Sequence, residues 1–167
     1  PPLRSNEHAS GLPGLSEADQ HKVDEGNIHL RCSCSILGTC RRMGLPATLE
    51  HPESSRAFLM PCLKQFVDYS DALSVVIHFG MFGTPWRKAT RLVGVNISFS
   101  RLEHYVCRHE VRGVCARTQK PHVRLTGRAL GSKSQFLTMV AQPYPRKFCC
   151  ELARCFSNAM SARTTMY

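Results

Sequence analysis

The sequence predicts an α/β domain built around a parallel sheet, and three observations support this prediction. The chain has 167 residues, which is enough for one domain with a buried core. Hydrophobic residues make up 43% and charged residues 20%, a composition typical of globular proteins. A strand pattern, a helix pattern and a second strand pattern follow one another across residues 45–79, an order that predicts a βαβ crossover with parallel strands.

A long first helix is predicted from about Glu17 to Met43, after a Pro-, Gly- and Ser-rich loop over residues 1–15. Ser16 suits the N-cap position, and acidic side chains follow in the first turn. Gly26 is the point at which this helix could be broken. Apolar residues recur on one face at helical spacing: Val23, Leu30, Cys34 and Leu37.

The next segment is predicted to hold three strands, at Leu45–Glu50, Leu73–Phe79 and Leu92–Val95. The second of these is the richest in β-branched residues, which strands favour. Pro61 suits the first turn of a helix that would connect the first two strands. Residues 16–96 would therefore form the core of the domain.

Residues 97–156 are predicted to form a loop-rich, basic extension that ends in a helix. A short helix is expected over Phe99–Val106, and strands are expected over His122–Thr126 and Phe136–Ala141. Pro145 would open the final helix, because proline suits the first helical turn. The polar residues 157–167 are predicted to be a disordered tail.

Charge and cysteine content restrict the classes of partner. The formal net charge of +10 favours a polyanion, with DNA as the first candidate and a basic protein without such a partner as the alternative. No apolar run is long enough to span a bilayer, and no signal-peptide pattern begins the chain, so no membrane partner is expected. The nine irregularly spaced cysteines indicate reduced thiols of an intracellular protein rather than a disulfide framework.

Two short segments carry the residues that suggest a chemistry. The first is Leu49-Glu50-His51-Pro52, and the second is Phe82-Gly83-Thr84-Pro85, followed by Trp86, Arg87, Lys88 and Arg91. Both are predicted to be strand ends that run into loops. A carboxylate and cations at neighbouring strand ends could contact both edges of a cytosine ring.

These segments resemble motifs of the cytosine-C5 DNA methyltransferases, which use S-adenosylmethionine and have a Rossmann-like sheet. In that family a strand ends in Glu-Asn-Val, where this chain has Glu50-His51-Pro52, and a later segment reads Phe-Gly-x-Pro-Gln, where Trp86 replaces the glutamine. The resemblance implies that Glu50 holds the ring nitrogen N3 of the target base. It also implies that Arg87 or Arg91 stabilises the charge that develops on the ring oxygen.

The resemblance covers about Gly11 to Val95 and lacks two parts of the family pattern. There is no Gly-rich turn for the methyl donor, and Pro61-Cys62 follows Glu50, whereas the family nucleophile precedes it. The predicted fold is therefore an incomplete Rossmann-like methyltransferase sheet. Its partner would be the missing N-terminal half, which would bring S-adenosylmethionine, and this chain alone would be inactive. If the source is eukaryotic, the family implies a nuclear protein.

A second set of residues suggests a metal site in the extension. Four soft or borderline ligands, Cys107, His109, Cys115 and His122, could hold a tetrahedral zinc ion. The alternative is that they are scattered thiols and surface histidines, since the spacing is not that of a standard zinc finger. His51 and His78 are interpreted as hydrogen-bonded polar groups rather than catalysts.

Basic residues surround both sets and are predicted to contact DNA phosphates. The predicted DNA contacts are one aromatic side chain and these basic residues: Trp86, Lys88, Arg108, Arg112, Arg117, Lys120 and Arg124. Three functions remain open on the sequence: a cytosine methyltransferase fragment, a non-catalytic nucleic-acid-binding module, derived for example from a mobile element, and a small zinc-dependent interaction domain. Under the last two, Glu50 would be a capping or ion-paired carboxylate.

Overall fold

The computed structural model describes residues 2–68, 71–108, 113–128 and 135–164. Four α-helices, three strands and two short 3-10 helices, Arg56–Leu59 and Phe79–Phe82, make up the regular structure of these residues. The helices are α1 (Glu17–Arg42), α2 (Pro61–Val67), α3 (Leu137–Val140) and α4 (Arg146–Thr164). The strands are β1 (Ala47–Pro52), β2 (Leu73–His78) and β3 (Ala89–Val95). The chain is thus a mixed α/β structure, as its sequence predicts.

The sheet is antiparallel, so the prediction of parallel strands is wrong. Its order is β1-β3-β2, and β3 pairs antiparallel with both neighbours. Leu92 lies in register with Glu50 on one side and with Val75 on the other. The predicted crossover assumed that β1 and β2 were neighbours. Instead the short segment 79–88 returns the chain directly beside β2, and a return of this kind makes an antiparallel pair.

Each face of the sheet is covered by helices, and β3 provides the apolar centre of both. Leu92 and Val93 are both fully buried, and because successive side chains of a strand alternate, they point to opposite faces. Val93 packs into a cluster with residues of α1 and α2, including Leu37 and Leu63. Leu92 packs into a second cluster with Phe148 of α4. The two clusters together form the hydrophobic core.

Helix α1 is confirmed almost to the residue, and it is continuous at Gly26. The hydroxyl of Ser16 accepts a hydrogen bond from the backbone N–H of Asp19, which caps the first turn. Asn27, only 7% exposed, accepts a bond from Arg4 and donates one to the carbonyl of Ser10. These bonds, together with one from Nη2 of Arg4 to the carbonyl of Val23, hold the N-terminal loop against the helix on either side of the glycine.

Four local predictions in the C-terminal half are wrong. Residues 99–106 form turns instead of a helix, and residues 122–126 form no strand. The segment predicted as a strand at Phe136–Ala141 contains the short helix α3. Residues 157–164 continue α4 instead of forming a tail, because Ala159 packs against the core with the preceding turns.

None of the described helices is both long and apolar enough for a membrane crossing.

Candidate metal centre

Three of the four predicted metal ligands converge in the structure. One ligand atom from each of Cys107, Cys115 and His122 lies within 4.8 Å of the other two. The Sγ atom of Cys107 is 3.4 Å from the Nε2 atom of His122. Around tetrahedral zinc, bonds of about 2.3 Å to sulfur and about 2.0–2.1 Å to nitrogen place such ligand atoms about 3.6 Å apart. The donor set suits zinc, and the distance between Cys107 and His122 is close to this spacing, whereas the limit of 4.8 Å for the whole group is about 1 Å wider. The fourth predicted ligand, His109, lies outside the described residues.

A tight turn brings Cys115 and His122 together. The backbone N–H of Cys115 donates to the carbonyl of Lys120, and the N–H of Gln119 donates to the carbonyl of Cys115. An isolated antiparallel bridge between Val114 and Pro121 closes the turn. Gln119 takes a left-handed conformation with φ of 57° to allow this reversal. Local backbone hydrogen bonds thus position two of the three ligands.

Hydrogen-bond donors surround both sulfur atoms. The Sγ of Cys107 accepts from the backbone N–H of Ala116 at 3.2 Å. Burial raises the pKa of the Cys115 thiol, but bonds from Thr118, Arg117 and Cys107 outweigh burial, so its pKa is held below its usual value. Metal-bound thiolates accept bonds of this kind, and the deprotonated thiol is the form that binds metal.

The imidazole of His122 lies directly against the backbone at Gly80. A Cβ atom at that position would stand 2.8 Å from the Cε1 atom of His122 and 3.3 Å from the carbonyl oxygen of Trp86. Burial lowers the pKa of His122, and the charge of Arg87 acts in the same direction. The imidazole is therefore neutral at pH 7, as a metal ligand must be.

The buried side chain of His78 positions the backbone of Cys107. It is 2% exposed, and its Nδ1 accepts a hydrogen bond of 2.8 Å from the backbone N–H of Cys107. Burial lowers its pKa to about 4, with further contributions from the charges of Arg87 and His122. The guanidinium of Arg87 also contacts this ring, at 3.1 Å from Nε2. The interpretation of His78 as a hydrogen-bonded polar group agrees with these contacts, but the sequence contained no indication that it positions a ligand.

The predicted DNA-contacting residues occupy two kinds of environment. Trp86 packs against the core, and the Nζ of Lys88 donates to the carbonyl of Ala141 at 2.8 Å, so both side chains face the protein. Arg117 is exposed, although its Nε also donates to the carbonyl of Gly80 at 3.3 Å. Arg112 lies outside the described residues. The remaining predicted contacts are exposed: Arg108, Lys120 and Arg124.

The three predicted catalytic residues are not brought together by any described contact. Glu50 is paired with Leu92, whereas Arg91 is paired with His51, and this register places Glu50 and Arg91 on opposite faces of the sheet. The guanidinium of Arg91 lies over the ring of Phe58, 4.8 Å from its centroid. A single base therefore cannot meet Glu50 and Arg91 in this structure.

Glu50 instead lies in an apolar cleft of about 570 Å³ between β1 and α4. Its Oε2 accepts a hydrogen bond of 2.9 Å from the hydroxyl of Tyr144. Burial and this carboxylate raise the pKa of Tyr144 to about 12. Tyr144 was not identified from the sequence, because nothing in a Pro-Tyr-Pro segment indicates a partner so distant along the chain.

Comparison with known proteins adds no relative: no protein-family model, no curated protein and no solved structure matches this chain. The resemblance to cytosine methyltransferases therefore depends on the motif residues alone. The geometry around Cys107, Cys115 and His122 is the strongest independent indication of a function.

Proposed function

We propose that this chain is a zinc-organised module that binds the phosphate backbone of nucleic acid. The observation that carries the proposal is the convergence of Cys107, Cys115 and His122, whose ligand atoms lie within 4.8 Å of one another. The same turn that holds two of these ligands also presents cations to solvent. Metal binding and charge presentation would therefore be properties of one structural element.

Zinc would stabilise a region that has little regular structure of its own. Residues 113–128 contain only isolated bridges and turns, so the ion would supply order that helices and strands supply elsewhere. Two thiolates and one imidazole match the ligand preferences of zinc and disfavour calcium or magnesium. A fourth ligand completes a structural zinc site, and His109 remains the predicted candidate.

The charge of the turn supports nucleic acid as the partner. Residues 113–128 contain no Asp or Glu, and their cations Arg117, Lys120, Arg124 and Arg128 are all exposed. If zinc fixes the turn, these cations are already positioned before binding. Less conformational entropy is then lost when they contact phosphates. The contacts available are to phosphates, so the module would position nucleic acid without reading its sequence.

Metal analysis tests the first half of the proposal. The protein purified without chelator is expected to contain one zinc ion per chain, and the double variant Cys107→Ser, Cys115→Ser is expected to contain none. Cys32→Ser, which removes an exposed thiol of α1, is the matched control and should retain zinc. Zinc well below one ion per chain in the unaltered protein, after incubation with excess zinc, would refute the zinc site.

Binding to a short DNA duplex at several salt concentrations tests the second half. Lys120→Gln with Arg124→Gln should weaken binding and reduce the slope of log K against log salt by about 2, since about one counterion is released per contact. The control is Lys22→Gln with Lys64→Gln, which removes the same charge from α1 and α2. Equal effects of the two pairs would show that net charge, not this surface, governs binding.

Cytosine methylation is the second candidate, and the cleft beside Glu50 is the observation that favours it. Its volume of about 570 Å³ falls within the range of small-ligand sites. S-adenosylmethionine would still require a donor site beyond the residues described above, so the isolated chain should transfer no methyl group to DNA. If Glu50→Ala abolished a preference for cytosine-containing DNA, this candidate would gain over the zinc module.

A further inference from the structure

Two cysteines from different helices meet on the face of the protein formed by α1 and α2. Cys34 of α1 and Cys62 of α2 are separated by 28 residues in the sequence, and both line the same cleft. Both residues belong to the cluster that packs α1 and α2 against the sheet. They lie apart from the candidate metal ligands and serve no function assigned above.

The two thiols differ in their access to solvent. Cys34 is 9% exposed, whereas Cys62 is partly exposed in the first turn of α2. Burial, together with the neighbouring sulfur, raises the pKa of Cys34 to about 12. A small oxidant in solvent would therefore reach Cys62 first, and the less exposed Cys34 would be its protonated partner.

This cleft has a volume of about 420 Å³ and is rich in positive charge. Arg31, Arg41 and Arg42 line the same cleft, and Arg41 is paired with Asp71. Positive charge stabilises the negative charge that develops when a thiol attacks a peroxide. Reactive cysteines occur in partly exposed, electropositive surroundings of this type.

We propose that Cys34 and Cys62 form a peroxide-sensitive dithiol, which oxidises to a disulfide that links α1 to α2. In the first step the Cys62 thiolate attacks hydrogen peroxide, the O–O bond breaks, and Cys62 sulfenic acid and hydroxide form. In the second step the Cys34 sulfur attacks the sulfenic sulfur, the S–O bond breaks, and the departing hydroxide takes the Cys34 proton and leaves as water. The proton that Cys62 released on forming its thiolate neutralises the hydroxide of the first step. The net reaction consumes one peroxide and two thiols and produces one disulfide and two waters.

Peptide mapping of the full chain without reductant, after treatment with a small excess of hydrogen peroxide, tests the proposal. The expected product is a linked pair of peptides containing Cys34 and Cys62, lighter than their sum by two hydrogens. The disulfide would close a long loop, so the midpoint of thermal unfolding should rise by about 10 °C. Reduction should reverse both changes.

Variants decide whether the pair itself is responsible. Cys62→Ser should abolish the link and the thermal shift, leave Cys34 reduced, and retain the fold because position 62 is partly exposed. Cys32→Ser is the matched control on the same helix and should behave like the unaltered protein. Linkage of Cys34 to another cysteine, or Cys62 sulfinic acid beside unreacted Cys34, would overturn the proposal.

Discussion

Gly80 and His122 are packed so closely that no side chain fits between them. The space where a Cβ atom of residue 80 would lie is 2.8 Å from the Cε1 atom of His122. Gly80 lies just after the end of β2, separated from it by Phe79. His122 ends the turn that begins at Cys115. The sheet therefore determines where one ligand of the candidate metal centre can lie.

Gly80→Ala should weaken zinc binding, because the new methyl group displaces the imidazole of His122 from the two sulfurs. We expect a loss of about tenfold or more in zinc affinity, similar to the loss of a residue that orients a metal ligand. Competition with a chromogenic chelator measures it. Gly38→Ala is the control: it lies within α1, has room for a methyl group, and should raise stability slightly. Equal zinc affinity of Gly80→Ala and the unaltered protein would contradict the described packing.

The stability of the metal-free protein should fall as the pH falls from about 6.5 towards 4. The folded-state pKa of His78 is about 4, below its usual 6.5, so the unfolded chain binds a proton before the folded chain does. The part of the free energy of unfolding that depends on a neutral His78 is thus fully present above pH 6.5. It is lost as the pH falls to about 4, and the loss is about 3 kcal/mol at most.

Urea unfolding in the presence of a chelator, repeated between pH 4.5 and 7.5, measures this effect. His78→Gln retains an acceptor for the N–H of Cys107 but cannot titrate, so its profile should be flatter. His29→Gln, which changes an exposed histidine of α1, should leave the steep profile unchanged. The same pH dependence in His78→Gln would exclude His78 as the group responsible.

Asn96 should contribute to stability by closing the C-terminal end of α1. Its backbone is left-handed, with φ of 53°, and its Nδ2 donates to the carbonyls of Cys40 at 3.2 Å and Leu45 at 3.0 Å. Asn96→Ala loses these bonds and strains the backbone, so we expect a cost of about 1–3 kcal/mol in urea unfolding. Asn96→Gly relieves the strain and should cost less. If the glycine variant were the less stable of the two, the backbone argument would fail.

The bond between Tyr144 and Glu50 should couple α4 to β1. Tyr144→Phe removes the donor and leaves a half-buried carboxylate, for which we expect a loss of about 1 kcal/mol. A double-mutant cycle with Glu50→Gln isolates the pair from the packing of each side chain. Additive effects of the two substitutions would show that the bond contributes nothing to stability.

Local patterns in the chain were enough to predict α1, α2, β2 and the start of α4. Helical spacing of apolar residues, the Ser16 cap and proline at the start of α2 are short-range properties, so they could be identified without knowledge of the fold. The soft ligands Cys107, Cys115 and His122 could also be recognised, because ligand chemistry belongs to the side chain itself. Their actual convergence could not.

Strand pairing and the division of side chains between faces depend on contacts distant in sequence. Periodicity indicates that Leu92 belongs to a strand, but only the position of β3 between β1 and β2 makes the sheet antiparallel. That register separates Glu50 from Arg91, which the motif alone had placed together. It also presents the buried ring of His78 to Cys107. Composition and local pattern thus specify the elements and the candidate ligands, whereas tertiary packing decides which of them meet, because meeting depends on a register that no short segment encodes.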